Sequence, residues 1–246
     1  MGIFRRGRAE EPPPVVTDKP GTLRREVLIA LDPVRLPGDL LVPLEAIGIV
    51  VFAHGSGSSR LSPRNVGVAE ALNGAGIGTL LFDLLTDAEA EDRAKVFDIA
   101  LLARRLEAAA KWLSTWPDIG QLPVGFFGAS TGAAAALVAA AHLRADVAAV
   151  VSRGGRPDLA GPDLGRVSAP TLLIVGGNDV EVLELNREAE RQLGCEKHLE
   201  VVPGATHLFE ESGTLERVAE LAAGWFGKYL PEGARRHRGP FMGKSG

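Results

Sequence analysis

Cysteine is almost missing. Cys195 is the only one in 246 residues, so no disulfide can close within the chain and no thiolate zinc cluster can form. The five histidines, His54, His142, His198, His207 and His237, are scattered without metal-ligand spacing. The sequence therefore implies no metal, and no motif calls for an organic cofactor. Long apolar runs are lacking as well. The longest, Ala133 to Ala141, falls far short of the roughly 20 residues that a membrane-spanning helix needs. Arg5, Arg6 and Arg8 have no apolar stretch behind them, so no secretory leader is read there. Arg6 also stands where a myristoylation signal on Gly2 would need Ser or Thr. These absences predict a cytoplasmic protein with no membrane role.

What is present is ordinary for a globular domain: 46% hydrophobic and 24% charged residues. The net charge is −4. Residues 1–19 carry four basic and three acidic side chains, and residues 232–246 carry four basic and one acidic, which leaves the body at −8. An acidic body argues against nucleic acid as a partner. Pro12, Pro13 and Pro14 mark residues 1–19 as a disordered arm, and residues 232–246 read as a flexible basic tail. With no internal repeat or linker, residues 20–231 read as one domain.

Within that domain, apolar β-type runs alternate with helical stripes. Strands are expected at Leu23–Leu31, Asp39–Val42, Gly48–Ala53, Ile77–Phe82, Leu122–Phe127, Val147–Ser152, Thr171–Val175 and His198–Val202. The later ones are continuously apolar, as in strands buried on both faces. Ser62 and Pro63 read as a cap and first-turn pair of a helix that ends before Gly74. Ile99, Leu102, Leu106, Ala109 and Leu113 form a stripe that stops before Pro117, and Val182–Leu193 ends at Gly194. A last amphipathic face, from Val218 to Leu230, stops before Pro231. The alternation predicts an α/β fold: a mainly parallel eight-stranded sheet with helices on both faces.

The chemistry centres on Gly128-Ala129-Ser130-Thr131-Gly132, between the apolar run ending at Phe127 and the alanine-rich run from Ala133. That is the strand–turn–helix setting of a nucleophile elbow, where glycines make room for a cramped turn and a serine points outward. A serine hydroxyl needs a base, and the base needs a third group to orient it. In such sites an acid and then a histidine follow the serine, each after a strand's C-terminal end. Asp179 follows Thr171–Asn178, and His207 follows His198–Thr206. Alone, Asp179 would read as a helix cap and His207 as a loop histidine; their order and placement favour a triad. His142, His198 and His237 are badly placed as bases, and Asp158 and Asp163 are reserve acids.

Acyl chemistry also needs donors for an oxyanion. The backbone N–H of Thr131 and of Ser56, in the loop Phe52–Arg60, are the candidates. His54 reads as a loop brace. A phosphate cradle at Gly55–Ser59 is disfavoured because the P-loop lysine is missing. Arg60, Arg153 and Arg156 are candidate substrate-binding cations. The alternative is that such arginines pair with Asp158 and Asp163 and shape the loop. Only 18 residues, Arg153 to Pro170, link the sixth and seventh strands, too few for a cap domain, so an open, shallow site is expected.

These segments, together with Leu80-Leu81-Phe82-Asp83 and Val151–Asp158, resemble the α/β-hydrolase superfamily and, within it, the dienelactone hydrolase-like proteins. The resemblance spans nearly all of residues 20–231 and implies the α/β-hydrolase fold without a cap, with Ser130, Asp179 and His207 as nucleophile, acid and base. True dienelactone hydrolases carry a cysteine at the elbow where this chain has Ser130, so their substrate does not carry over. The expectation is a serine hydrolase acting on a carboxylic ester of a small molecule. An acyltransferase or thioesterase on the same triad is an alternative, as is a non-catalytic binding protein of this fold. Homo-oligomer formation is left open.

Overall fold

The computed structural model describes residues 21–31 and 33–237. In chain order these form β1 (Leu23–Leu31), β2 (Val34–Val42), β3 (Ile49–Ala53), α1 (Pro63–Gly74), β4 (Gly78–Phe82), two single-turn helices α2 (Asp87–Ala90) and α3 (Arg93–Val96), α4 (Ile99–Ser114), β5 (Val124–Ala129) and α5 (Thr131–Leu143). Then come β6 (Val147–Arg153), β7 (Thr171–Gly176), α6 (Val180–Gln192), β8 (Lys197–Val202) and α7 (Thr214–His237). The eight strands make one sheet in the order β1-β2-β4-β3-β5-β6-β7-β8. β2 is antiparallel to both of its neighbours, and all other pairs are parallel.

Strand periodicity sorts the core into two layers. Along β3, Val50 and Phe52 face α1 and α7, while Ile49, Val51 and Ala53 face the opposite side, where α4 and α5 lie. Phe126 and Phe127 divide in the same way, one to each face. β3, β4, β5, β6 and β7 are therefore almost wholly buried, which is why they read as unbroken apolar runs. In α5 every residue from Thr131 to Ala141 is buried. Its alanines let the helix lie close against the strands.

The chain steps from β3 to β4 on one side and returns to β5 on the other. β3 and β5 thus flank the point where strand order reverses, and the crevice beyond their C-terminal ends is where open α/β sheets bind ligands.

Several boundaries differ from expectation. β2 starts at Val34, ahead of Pro37 and Gly38. The strand pairing of β2 with β4 runs from Gly38 onward; just past its end the Pro37 carbonyl accepts from Asp83 N–H at 3.0 Å, and there the missing proline N–H is tolerated. A Cβ at Gly38 would stand 3.0 Å from that of Phe82. α1 includes Gly74, and the Ser62 hydroxyl makes no cap bond. α7 runs through Pro231 to His237. Phe226, Tyr229, Leu230 and Gly233 are buried, and their docking outweighs the helix bond that Pro231 removes. Residues 232–237, expected within the flexible tail, are therefore helical. The expected arm, residues 1–19, and the rest of the tail, residues 238–246, lie outside the described residues.

Between β6 and β7 the chain makes only 3₁₀ turns over Pro157–Arg166, broken at Gly161 with φ 53°. No domain is inserted there.

Candidate active site

Ser130 joins β5 to α5 with φ 50° and ψ −121°, a region an L-residue occupies only under constraint. The constraint comes from its neighbours. A Cβ on Gly128 would stand 2.4 Å from the Ala133 Cα, and one on Gly132 would stand 2.1 Å from the Ala53 carbonyl oxygen. Glycine is the only residue that fits at either place. The Ser130 N–H donates to the Arg153 carbonyl at 3.2 Å, and its own carbonyl accepts from Ala133 and Arg156, both at 3.1 Å.

Two loops at the neighbouring strand ends are tied to each other. After β7, Gly177 N–H donates to the Val202 carbonyl at 2.8 Å and Asn178 N–H to the Ala205 carbonyl at 2.9 Å. The Asn178 side chain adds a bond to the Gly204 carbonyl at 2.9 Å. These contacts set Asp179 beside His207. The His207 Nδ1–H donates to Asp179 Oδ2 at 2.6 Å, and the Ser130 hydroxyl points at His207 Nε2 from 3.4 Å. With Nδ1 protonated toward the carboxylate, Nε2 presents its lone pair to the hydroxyl. Asp179 sits at the N-cap position of α6, but its side chain makes no cap bond there.

The loop bearing His207 has its own supports. Thr206 donates to the Glu211 carboxylate through its N–H at 3.1 Å and its hydroxyl at 2.6 Å. That hydroxyl bond leads the contacts that hold the Glu211 carboxyl below its ordinary range. Phe209, fully buried, adopts φ 55°. Gly154, at φ 52°, lets the loop close in, since a Cβ there would stand 3.1 Å from the His207 carbonyl oxygen. Sequence reading missed Glu211, and nothing in its spacing marks it.

Thr131 opens α5, so its N–H has no acceptor within the helix. The Ser56 N–H is committed in this state: it donates to the Thr131 hydroxyl at 2.9 Å. His54 is buried, with Nδ1–H donating to the Gly55 carbonyl and Nε2 accepting from Leu84 N–H, both at 3.0 Å. Burial pushes its imidazole below the ordinary value. It holds the loop, as read from the sequence. Beside that loop lies a cavity of about 170 Å³, walled by Ser56, Ser58, Leu84, Leu85, Val96 and Leu102.

The three candidate arginines have different surroundings. Arg60 is held by Asp83 at 2.6 Å and Asp39 at 3.1 Å. Arg156 forms a two-pronged pair with Asp158 at 2.8 and 2.7 Å. Arg153 is buried and donates to Asn65 Oδ1 at 3.2 Å. The remaining candidates stand elsewhere: His142 meets Glu107 at 2.7 Å, His198 meets Glu200 at 3.3 Å, and Asp163 meets Arg166 at 3.1 Å. Among the described residues no cluster of three or more His, Cys, Asp or Glu could hold a metal ion.

The chain and its fold are similar to known proteins. Residues 45–226 match the profile of the Dienelactone hydrolase family. A solved dienelactone hydrolase from Anabaena variabilis is 55% identical and similar in fold, with a TM-score of 0.82 over 85% of this chain and 99% of that one. Est1E from Butyrivibrio proteoclasticus shares the fold at a TM-score of 0.69 and 18% identity, over 82% of this chain and 99% of its own. Two Mycobacterium tuberculosis proteins provisionally named as phosphoribosyl transferases are 64% identical over 205 residues. That stretch is 83% of this chain but 46% of theirs, so the chain spans less than half the length of those relatives. With most of its length matched by one family profile, and with a solved member of that description more than half identical to it, this chain belongs to the dienelactone hydrolase family and has the α/β-hydrolase fold.

Proposed function

We propose that the protein cleaves a carboxylic ester of a small substrate through Ser130, His207 and Asp179, by way of an acyl-enzyme. The observation that carries this reading is the continuous line from the Asp179 carboxylate through the His207 ring to the Ser130 hydroxyl. In the first step the hydroxyl oxygen attacks the ester carbonyl while Nε2 takes its proton. Asp179 holds the ring and stabilises its charged form. The same proton then passes to the departing alcohol. Water, deprotonated by His207, releases the acid and frees Ser130. The 3.4 Å separation is of the kind that tightens when substrate seats.

The Thr131 N–H is one donor to the developing oxyanion. The other is the Ser56 N–H, which exchanges the Thr131 hydroxyl for the substrate oxygen. The His207 side chain is 38% exposed. Water therefore reaches the base directly, which favours hydrolysis over transfer to a second acceptor.

Ser130→Ala is expected to lower kcat by a factor on the order of 10⁴–10⁶ with the fold intact. A fluorophosphonate probe is expected to label Ser130 in the native protein. Undiminished ester turnover in the variant would reject the assignment. A native protein that neither reacts with the probe nor turns over esters would instead be a binding protein.

A further inference from the structure

The cavity beside the loop after β3 has no part in the chemistry described so far. Its volume is about 170 Å³, and Gly55 and Ser56 form part of its wall. Gly55 also packs on Ser130, since a Cβ there would stand 3.0 Å from the Ser130 Cβ. Ser56 carries the second proposed oxyanion donor. The cavity therefore shares a wall with the proposed reacting centre.

Two polar side chains of that wall are bonded elsewhere. His54 uses both ring nitrogens on the backbone, at Gly55 and Leu84. Asp83 gives both oxygens to Arg60, one to its N–H at 2.8 Å and one to Nη1 at 2.6 Å. Leu84, Leu85, Val96 and Leu102 supply aliphatic surface. Such a lining suits an apolar guest. The wall is also fixed in place. Arg105 donates to the Leu84 carbonyl at 2.6 Å and to Glu89 at 2.8 Å, which pins the segment after β4 against α4. The volume therefore sets a limit, and a cavity of roughly this size holds a six-carbon ring.

Sheet order decides which part of an ester faces the cavity. Ser130 stands at the end of β5. β7 and β8 bring Asp179 and His207 from one side, while β3 and β4 bring the cavity from the other. The departing alcohol oxygen must collect its proton from His207 Nε2, which places the alcohol on the β8 side. The acyl chain, on the opposite side of the carbonyl carbon, is then directed toward β3 and β4.

We infer that this cavity is an acyl pocket, and that the substrates are esters of uncharged, apolar acids of up to about six carbons. The inference rests on the hydrolase reading given above and adds the acyl group to it. Val96, half-buried in the single turn of α3, is the wall residue best placed to tune the limit, because it can change without cutting into the central core.

The test follows kcat/KM of the full chain on 4-nitrophenyl esters of straight-chain acids from acetate to decanoate. Native protein is expected to gain about threefold per added methylene as far as about hexanoate, and to gain no more beyond it. A gain that continues to decanoate, or no gain at all, overturns the pocket. Val96→Phe fills the cavity and is expected to lower the hexanoate-to-acetate ratio by about tenfold. Val96→Ala widens it and is expected to carry the gain on to octanoate; it also keeps the test open where the larger side chain prevents folding. A wall that only braces the loop would alter turnover of every ester alike, so unchanged ratios in the folded variants overturn the proposal. A second series keeps acetate as the acid and lengthens the alcohol from methyl to hexyl. A change in Val96→Phe confined to this series would assign the cavity to the alcohol and overturn the acyl assignment. Benzene supplies a readout independent of turnover. It is expected to raise the Tm of the native protein by a few degrees, and to do so less for Val96→Phe. If no ester is turned over but this shift is seen, the apolar site stands while the hydrolase reading falls, and the acyl assignment with it. No shift together with unchanged ratios shows that the cavity takes no apolar guest.

Discussion

Asp179 is the N-cap residue of α6, yet its carboxylate serves His207 and bonds to no helix amide. Asp179→Asn keeps the shape and removes no cap bond, since the native carboxylate makes none, but it no longer fixes the Nδ1–H tautomer. The expected result is a fall in kcat on the order of 10⁴ with little change in Tm; a fall of less than about tenfold would remove Asp179 from the proposed triad. His54 offers a separate reading by pH. Its Nε2 must accept from Leu84 N–H, so the folded protein holds the ring neutral, and burial lowers its pKa below 6.5. The unfolded chain therefore binds the proton first as pH falls. Stability is complete above about pH 6.5 and declines as pH drops toward the folded value. His54→Gln is expected to flatten that decline in urea titrations between pH 7.5 and 5; an unaltered slope would exclude His54 as its source. Ser130, Asp179 and His207 were legible because each follows a strand end in the sequence. The Ser56 bond was not, since its acceptor is a hydroxyl 75 positions away. Nor could the Arg153 bond to Asn65 be read, because its acceptor lies 88 positions away.

At the level of elements, the Glu89 carboxylate ties the segment between β4 and α4 to α4. Glu89 closes a capping box with Thr86, receives Arg105 at 2.8 Å, and is drawn down to about 2, chiefly by that arginine. Arg105 also donates to the Leu84 carbonyl at 2.6 Å, which ties α4 to the cavity wall. Because the folded pKa is depressed, the stabilisation is complete above about pH 4.5 and is lost as pH falls toward 2. Glu89→Gln is expected to weaken the acid dependence of unfolding in that window; an identical acid limb in both proteins would contradict the role. α2 and α3 escaped sequence reading, although Thr86-Asp87-Ala88-Glu89 spells the capping signal, because one-turn helices have no period to detect. The strands were the easier part, since continuous burial writes itself as Val, Ile, Leu and Phe. Pro231 misled because its local effect was weighed without the buried face that continues to Gly233.

At the level of the whole molecule, both core layers share one sheet, so neither can melt alone without exposing the other's strands. The tryptophans report on opposite layers: Trp112 and Trp116 pack with the α4 and α5 side, and Trp225 with the α1 and α7 side. Thermal or urea unfolding is expected to give coincident transitions by far-ultraviolet dichroism and by the fluorescence of single-tryptophan variants. Separate midpoints for Trp225 and for the Trp112–Trp116 pair would show that the layers come apart independently. The sheet class was readable from strand–helix alternation. Strand order was not, because pairing is settled by contacts between runs far apart in sequence.

The alanine helix behind Ser130 has a further consequence. Its buried residues are nearly all small, so it loses little rotamer entropy on folding and has little freedom to repack around a larger side chain. Ser130, the proposed nucleophile, is mounted on a rigid pedestal. Laboratory selection for new esters should therefore leave α5 untouched and find its gains in the connections after β3, β4 and β6, which form the walls and can vary without moving the mount.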